Sequence, residues 1–233
     1  MKIRRNRNKE GEVTYWPSFV DIMAIVCLTF FFLMILAMGL LTVFVDDISS
    51  KRADLYDKIE FKLEENHVDP NVIQFNREKG KIEILTETFF DRDSYDLKPD
   101  GIDVANMLSG IFMELLSDQE IESEIEYIEV VGHTDFLGTT VYGRTLSANR
   151  AVSFLNKMVP ENSELEDLYG EKFKASGMSE FENYATKTER DRTIDQYDVE
   201  TTKKDRKIEI RMVFNNRDLE DAIKQRWESK KNK

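Results

Sequence analysis

Residues 132–151 read GHTDFLGTTVYGRTLSANRA, and the fold turns on how this stretch is arranged. It grows out of IEYIEVVGH (125–133), which alternates and then becomes fully apolar, as a strand entering a core does. It runs on into LSANRAVSFLNKMV, where Leu146, Ala151, Phe154, Leu155 and Met158 mark one face of a helix. A carboxylate, Asp135, thus leaves the end of a strand, and a guanidinium, Arg150, sits in the next helix. If the helix packs back on the strand, the two converge at one sheet edge. Such a pair suits a zwitterion, with the carboxylate taking an ammonium and the arginine taking a carboxylate in a bidentate grip. The alternative is that Asp135 and Arg150 pair with each other.

Upstream, VIQFN (72–76) and KIEILTETFF (81–90) flank REKG, the pattern of a β-hairpin with Gly80 in its turn. IDVANMLSGIFMELL repeats apolar residues with a helical period. Downstream, FKASG and KIEIRMVF supply two short strands. The order is ββαβαβ with a short added strand. It predicts an α+β domain, a mixed β-sheet with helices packed on one face. Residues 178–205 are polar without a clear period and read as a long surface loop. In the tail, Leu219, Ile223 and Trp227 form one stripe of an amphipathic helix.

The N-terminal part is of another kind. From Ile22 to Val45 no residue is charged and only Thr29 and Thr42 are polar. As a helix, this stretch is roughly 36 Å long, enough to cross a hydrocarbon core of about 30 Å. A secretory signal is the competing reading, but its apolar region is about 7–15 residues long, and no small-residue cleavage site follows here. A retained transmembrane helix is predicted. Lys2, Arg4, Arg5, Arg7 and Lys9 precede it, while Asp46 and Asp47 follow. The positive-inside rule then places the N-terminus in the cytoplasm and residues from 46 onward outside. Asp21 is the one charge in WPSFVDIMAIVCLTFFFLMILAMGL (16–40). Either it sits near the headgroups, where the helix N-terminus favours it, or it faces a protein partner and takes up and releases an ion. The span itself leaves both readings open.

The remaining composition narrows the function. The chain has 233 residues and a net charge of −12, room for one ordinary domain plus a membrane segment. The soluble part is acidic, which argues against nucleic-acid binding. Cys27, the single cysteine, allows no intrachain disulfide. No nucleophile motif and no HExxH pattern occurs, and the histidines are only His67 and His133, so no enzyme, catalytic residue or metal site is expected. His133 reads as a hydrogen-bonding residue of the fold. Asp91, Asp93, Asp96 and Asp100 lack the spacing of a calcium loop and read as a solvated turn. Ile48, Leu55, Ile59 and Leu63 give residues 46–66 a helical stripe that a second copy of the chain could pair with.

The stretch 132–151 resembles the OmpA-like peptidoglycan-binding domain, whose pattern runs GHTD, a glycine, then N-x-x-L-S-x-x-R-A, with a closing N-R-R-V-E-I strand. The matching residues are Gly132, His133, Thr134, Asp135, Gly138, Leu146, Ser147, Arg150 and Ala151, then Asp205, Arg206, Lys207, Ile208, Glu209 and Ile210. The resemblance covers about residues 72–214. It implies that Asp135 and Arg150 grip the zwitterionic end of diaminopimelate, with Thr134, Leu146 and Arg206 as further peptidoglycan-binding positions. Two residues depart from the pattern. Gly143 stands where the family has asparagine, and Asp205 replaces the closing asparagine.

A membrane helix with a lone aspartate near its start, ahead of such a domain, resembles the B subunit of MotA/MotB-type stators. The resemblance implies that Asp21 carries the ion, H⁺ or Na⁺, at an interface with a pentamer of A subunits around two B chains. No cofactor is implied. Only residues 46–71 separate span from domain, a compact form similar to ZorB of the Zorya anti-phage system, whose partner is ZorA. The implied layout is a cytoplasmic basic tail (1–15), a transmembrane helix (16–45), a periplasmic connector helix (46–71), the OmpA-like domain (72–214) and a C-terminal amphipathic helix (215–233), in the bacterial inner membrane. A flagellar MotB-type subunit and a passive membrane-to-wall tether are the alternatives.

Overall fold

The computed structural model describes residues 16–183, 186–190, 194–196 and 198–215. The basic tail and the stripe Leu219–Ile223–Trp227 lie outside the described residues. The chain divides into two compact units between Arg52 and Ala53.

The first unit holds most of helix α1 (Trp16–Glu65). Within it, Phe19–Val43 has a mean hydropathy of 2.7 over 25 residues and is long and apolar enough to cross a membrane. Its large apolar side chains are exposed. Thr29 and Thr42 donate their hydroxyls to the Val26 and Met38 carbonyls, at 2.8 and 2.9 Å. Such internal bonding removes two polar groups that lipid could not satisfy. Asp21 lies near the start of this stretch, exposed, as does Cys27 further along.

In the second unit, β1 (Ile73–Asn76), β2 (Lys81–Leu85), β3 (Ile125–His133), β4 (Phe173–Ser179) and β5 (Lys207–Phe214) form one sheet in the order β1-β2-β5-β3-β4. β3 and β4 run parallel, and the other pairs are antiparallel. The predicted mixed sheet is therefore observed. Period-two alternation sends Ile82, Ile84, Ile128, Val130, Ile208 and Ile210 to one face. There they meet Ala105, Leu108 and Phe112 of α2 (Pro99–Leu116), and Ala151, Phe154 and Met158 of α4 (Thr140–Met158). Two short helices, α3 (Gln119–Glu124) and α5 (Glu164–Tyr169), were not legible as periodic runs.

The last turns of α1 belong to this core. Leu55, Ile59 and Leu63 are buried there, and Tyr56 meets Phe75 and Phe214 edge-on. Lys58 pairs with Asp118 at 2.7 Å, and Arg77 with Asp57 at 2.6 Å. Leu55, Ile59 and Leu63, three of the four residues expected to face a second copy, thus face their own domain, because they already have an apolar surface to bury against; the Ile48 side chain lies outside the described residues.

β2 ends at Leu85 rather than Phe90, and Phe89 and Phe90 turn inward as core residues. α4 begins at Thr140, one and a half turns earlier than its apolar stripe. The Thr139 hydroxyl caps it by accepting from the Tyr142 amide at 3.2 Å. Among the described residues of 178–205, expected as a surface loop, Ser179, Glu180, Thr202 and Asp205 are buried. The Asn183 amide group donates to the Thr134 and Asp205 carbonyls, at 2.9 and 2.8 Å, and ties the segment to the end of β3.

α4 crosses the sheet at backbone contact. A Cβ on Gly132 would strike the Ser147 carbonyl, so the close approach of helix to strand requires glycine there. This contact sets Arg150 beside the C-terminal end of β3.

Candidate functional site

The end of β3, the first turns of α4, the loop after β2 and the start of β5 enclose a cleft of about 480 Å³. Thr134, Asp135, Leu146, Arg150 and Arg206 all line it, together with Glu87, Asp91, Asp93 and Tyr142. The five positions singled out in the sequence are therefore brought together, although they span three elements.

Asp135 is half-buried at the strand end. Its Oδ1 accepts from the Leu137 amide at 3.1 Å, an Asx-type turn, and its Oδ2 accepts from Arg206 at 3.1 Å. Arg206 also lies 3.7 Å from Glu87. Arg150 is buried, 7% exposed. Its Nε donates to the Ser94 carbonyl at 2.8 Å and its Nη2 to the Asp91 carbonyl at 3.2 Å. The guanidinium sits over the Phe90 ring, 5.0 Å from its centroid. The hydrogen bonds of Arg150 thus go to the loop after β2 and not to Asp135, whose ion-pair partner is Arg206. Burial lowers the Arg150 pKa from its usual value, and the nearby Asp135 carboxylate acts against that.

Thr134 is held by its backbone, its amide donating to the Ser179 carbonyl at 3.0 Å. Its hydroxyl is buried without a hydrogen bond. The Tyr142 hydroxyl donates to Asp93 at 2.9 Å, and that carboxylate pushes the Tyr142 pKa up. Asp91 pairs with Lys98 at 2.5 Å. Asp91 and Asp93 thus belong to the wall of the cleft and not merely to a solvated turn. The signal for them was positional: FFD follows the β2 strand, whose end lies at the same sheet edge as the GHTD end, one strand away.

Gly143 also lines the cleft. A Cβ there would strike the Ser179 hydroxyl and lie 3.2 Å from the Thr134 hydroxyl. Restoring asparagine with Gly143→Asn is therefore expected to overpack this corner at a cost of about 1–3 kcal/mol. Thermal unfolding of the two proteins checks it, and an unchanged midpoint would show that Ser179 yields. Asp205, the other departure, is buried beside the Asn183 bridge.

His133 is 1% exposed and neither ring nitrogen makes a hydrogen bond. Its nearest polar neighbour is the Glu209 carboxylate, 3.5 Å from Nε2. Donor atoms of His133, Glu182 and Glu209 fall within 4.8 Å of one another. Arg211, however, already binds both carboxylates, and Lys81 and Lys207 lie 2.6 and 2.8 Å from Glu209. An added dication would meet three positive charges there, so the cluster is a salt-bridge network in character.

No family model matches the chain. Outer membrane protein A of Bordetella avium is 31% identical over 92 residues, which are 40% of this chain and 43% of that protein. The chain thus matches less than half the length of that relative. Among solved structures, a MotB-like protein from Desulfovibrio vulgaris superposes with a TM-score of 0.54 at 18% identity, over 72% of this chain and 96% of that one. The periplasmic domain of Helicobacter pylori MotB gives 0.47 at 16% identity, over 66% and 94%. The second unit thus shares its fold with that MotB-like protein. In sequence, part of the chain is similar to outer membrane protein A.

Proposed function

We propose that this chain is the wall-anchored B subunit of an ion-driven stator in the bacterial inner membrane. The observation that carries this reading is the cleft, where Asp135, Arg150, Thr134, Leu146 and Arg206 meet in an OmpA-like fold on a chain that also bears an apolar span with one acid. The span crosses once, with the basic N-terminus in the cytoplasm and the OmpA-like domain in the periplasm. The cleft holds the zwitterionic end of a peptidoglycan stem peptide, and Asp21 carries a proton. Its partner is a MotA-like membrane subunit, expected as a pentamer around two copies of this chain. Only residues 46–71 separate the apolar span from the OmpA-like domain. This short connector supports the compact, ZorB-like form and a role in anti-phage defence. Genes for cytoplasmic effectors beside the coding sequence would agree with it, and flagellar genes would contradict it.

Anchoring is tested by retention of the full chain, in detergent, on purified sacculi. Asp135→Asn keeps the size of the side chain but removes the charge that an ammonium needs. Retention is expected to fall about tenfold, in line with the loss of one charge-assisted hydrogen bond worth about 1.5–3 kcal/mol. Equal retention at an equal unfolding midpoint would leave Asp135 as a structural partner of Arg206 alone. Arg150→Ala is a poorer test, since it also releases the Asp91 and Ser94 carbonyls.

A further inference from the structure

We infer that the C-terminal segment from Leu219 to Lys233 docks, within its own chain, into a groove at the other end of α4 from the cleft. This groove holds about 550 Å³ between the last turn of α4, α5 and the start of β4. Leu155, Val159 and Phe173 give it an apolar lining, edged by Asn156, Glu161 and Glu166. Leu155 and Phe173 pack on the core yet are only half-buried, so each keeps apolar surface that a partner can cover.

Reach favours the chain's own tail as that partner. β5 ends at Phe214, which pairs with Ile125 at the start of β3, and the Asn215 amide donates to the Glu124 carbonyl at 2.7 Å. From the groove side, the Lys172 ammonium donates to the Ile125 carbonyl, also at 2.7 Å. Lys172 itself lies between Gly170 and Phe173, both of which line the groove. The tail therefore leaves the sheet beside the groove. Four residue steps lead from Asn215 to Leu219, about 14 Å when extended. The helix predicted from Leu219 to Trp227 adds about 12 Å.

The chemistry of the two surfaces is complementary. On a helix, Leu219, Ile223 and Trp227 share one face, Arg226 and Lys230 border it, and Asp221 and Glu228 fall opposite. An apolar stripe bordered by cations matches an apolar floor edged by carboxylates. Glu164, Asp167 and Glu171 are exposed on the same segment, and none of the acids from Glu161 to Glu171 forms an ion pair among the described residues. The C-terminal end of α4 adds outward carbonyls that favour a cation at the same place. The Trp227 indole N–H, a donor only, finds acceptors in the Glu161 and Glu166 carboxylates.

Trp227 reports on the docking, because Trp16 is the only other tryptophan. The full chain carrying Trp16→Phe is held in detergent, and acrylamide quenching of its fluorescence is measured. A second chain adds Glu161→Lys and Glu166→Lys, two exposed positions whose reversal leaves the core untouched. Quenching is expected to be about threefold weaker in the first chain than in the second, since the rim charges then repel the tail instead of holding it. Equal quenching in both chains would overturn the inference, whether Trp227 is open in both or covered by the micelle in both. Protection that disappears on dilution at constant detergent would assign the groove to the tail of a second copy and overturn docking within one chain.

Discussion

Asp21→Asn is expected to abolish ion flow while leaving the anchor intact. Asp21 is the one charged residue between Phe19 and Val43, on a helix whose large apolar side chains there are exposed. An intramembrane carboxylate that serves no purpose is a net cost, of about 2.5–3.5 kcal/mol for a central position on the insertion scale. Asparagine has the same shape and cannot exchange a proton, so the substitution removes titration without removing volume. Each proton that crosses at 100 mV supplies about 2.3 kcal/mol, and no other acid in the span can take over that transfer. Proton flux into vesicles holding this chain with the MotA-like subunit proposed as its partner should fall to background. Retention of the variant on sacculi should match that of the unchanged chain. Full flux through Asp21→Asn would end the carrier assignment and leave a passive tether. Loss of flux together with loss of assembly would point instead to a packing role at the helix interface.

How much of this could be read before the structure depended on how local each signal was. The bounds of β3 and β5 follow from apolar alternation, a two-residue property that the chain carries in itself. The first turn of α4, TVYGRT, has no apolar period, and its order comes from the Thr139 cap, so the helix starts earlier than its stripe suggests. The polar run after Ser179 shows no clear period. Its described residue Asn183 is held by a long-range bond to Thr134, which no window of sequence contains. Leu55, Ile59 and Leu63 show a different limit. A stripe that packs on its own domain has the same spacing as one that pairs with a copy, and only the tertiary neighbours separate them. The site divides the same way. Asp135 and Arg150 stood out through their motif, whereas Asp93 looks like any solvated acid until Tyr142 is seen to hold it.

Glu209→Gln is expected to cost about 3 kcal/mol of stability, the lower part of the range for breaking a buried ion pair from one side. Glu209 is 1% exposed and is touched by Lys81 at 2.6 Å, Lys207 at 2.8 Å and Arg211 at 2.5 Å. Burial alone would push its carboxyl up. The His133 ring, Lys207, Lys81 and Arg211 outweigh that and hold it far below the usual glutamate range. Removing the charge leaves three cations facing one another on β2 and β5, with Glu83 and Glu182 beside them as a partial offset. For a chain of this size about 3 kcal/mol corresponds to a midpoint lower by roughly 6–12 °C. The pH dependence has a definite sign. A carboxyl whose folded value is depressed stabilises fully above its unfolded value of about 4.3, and that contribution is lost as pH falls toward the folded value. The gap between the unchanged chain and Glu209→Gln should therefore be widest at neutral pH and narrow below about pH 4. Unfolding midpoints of both proteins across that range measure it. A gap that stays constant with pH would mean that Glu209 acts through its shape and hydrogen bonds, and the charge network would lose its role in holding β2 to β5.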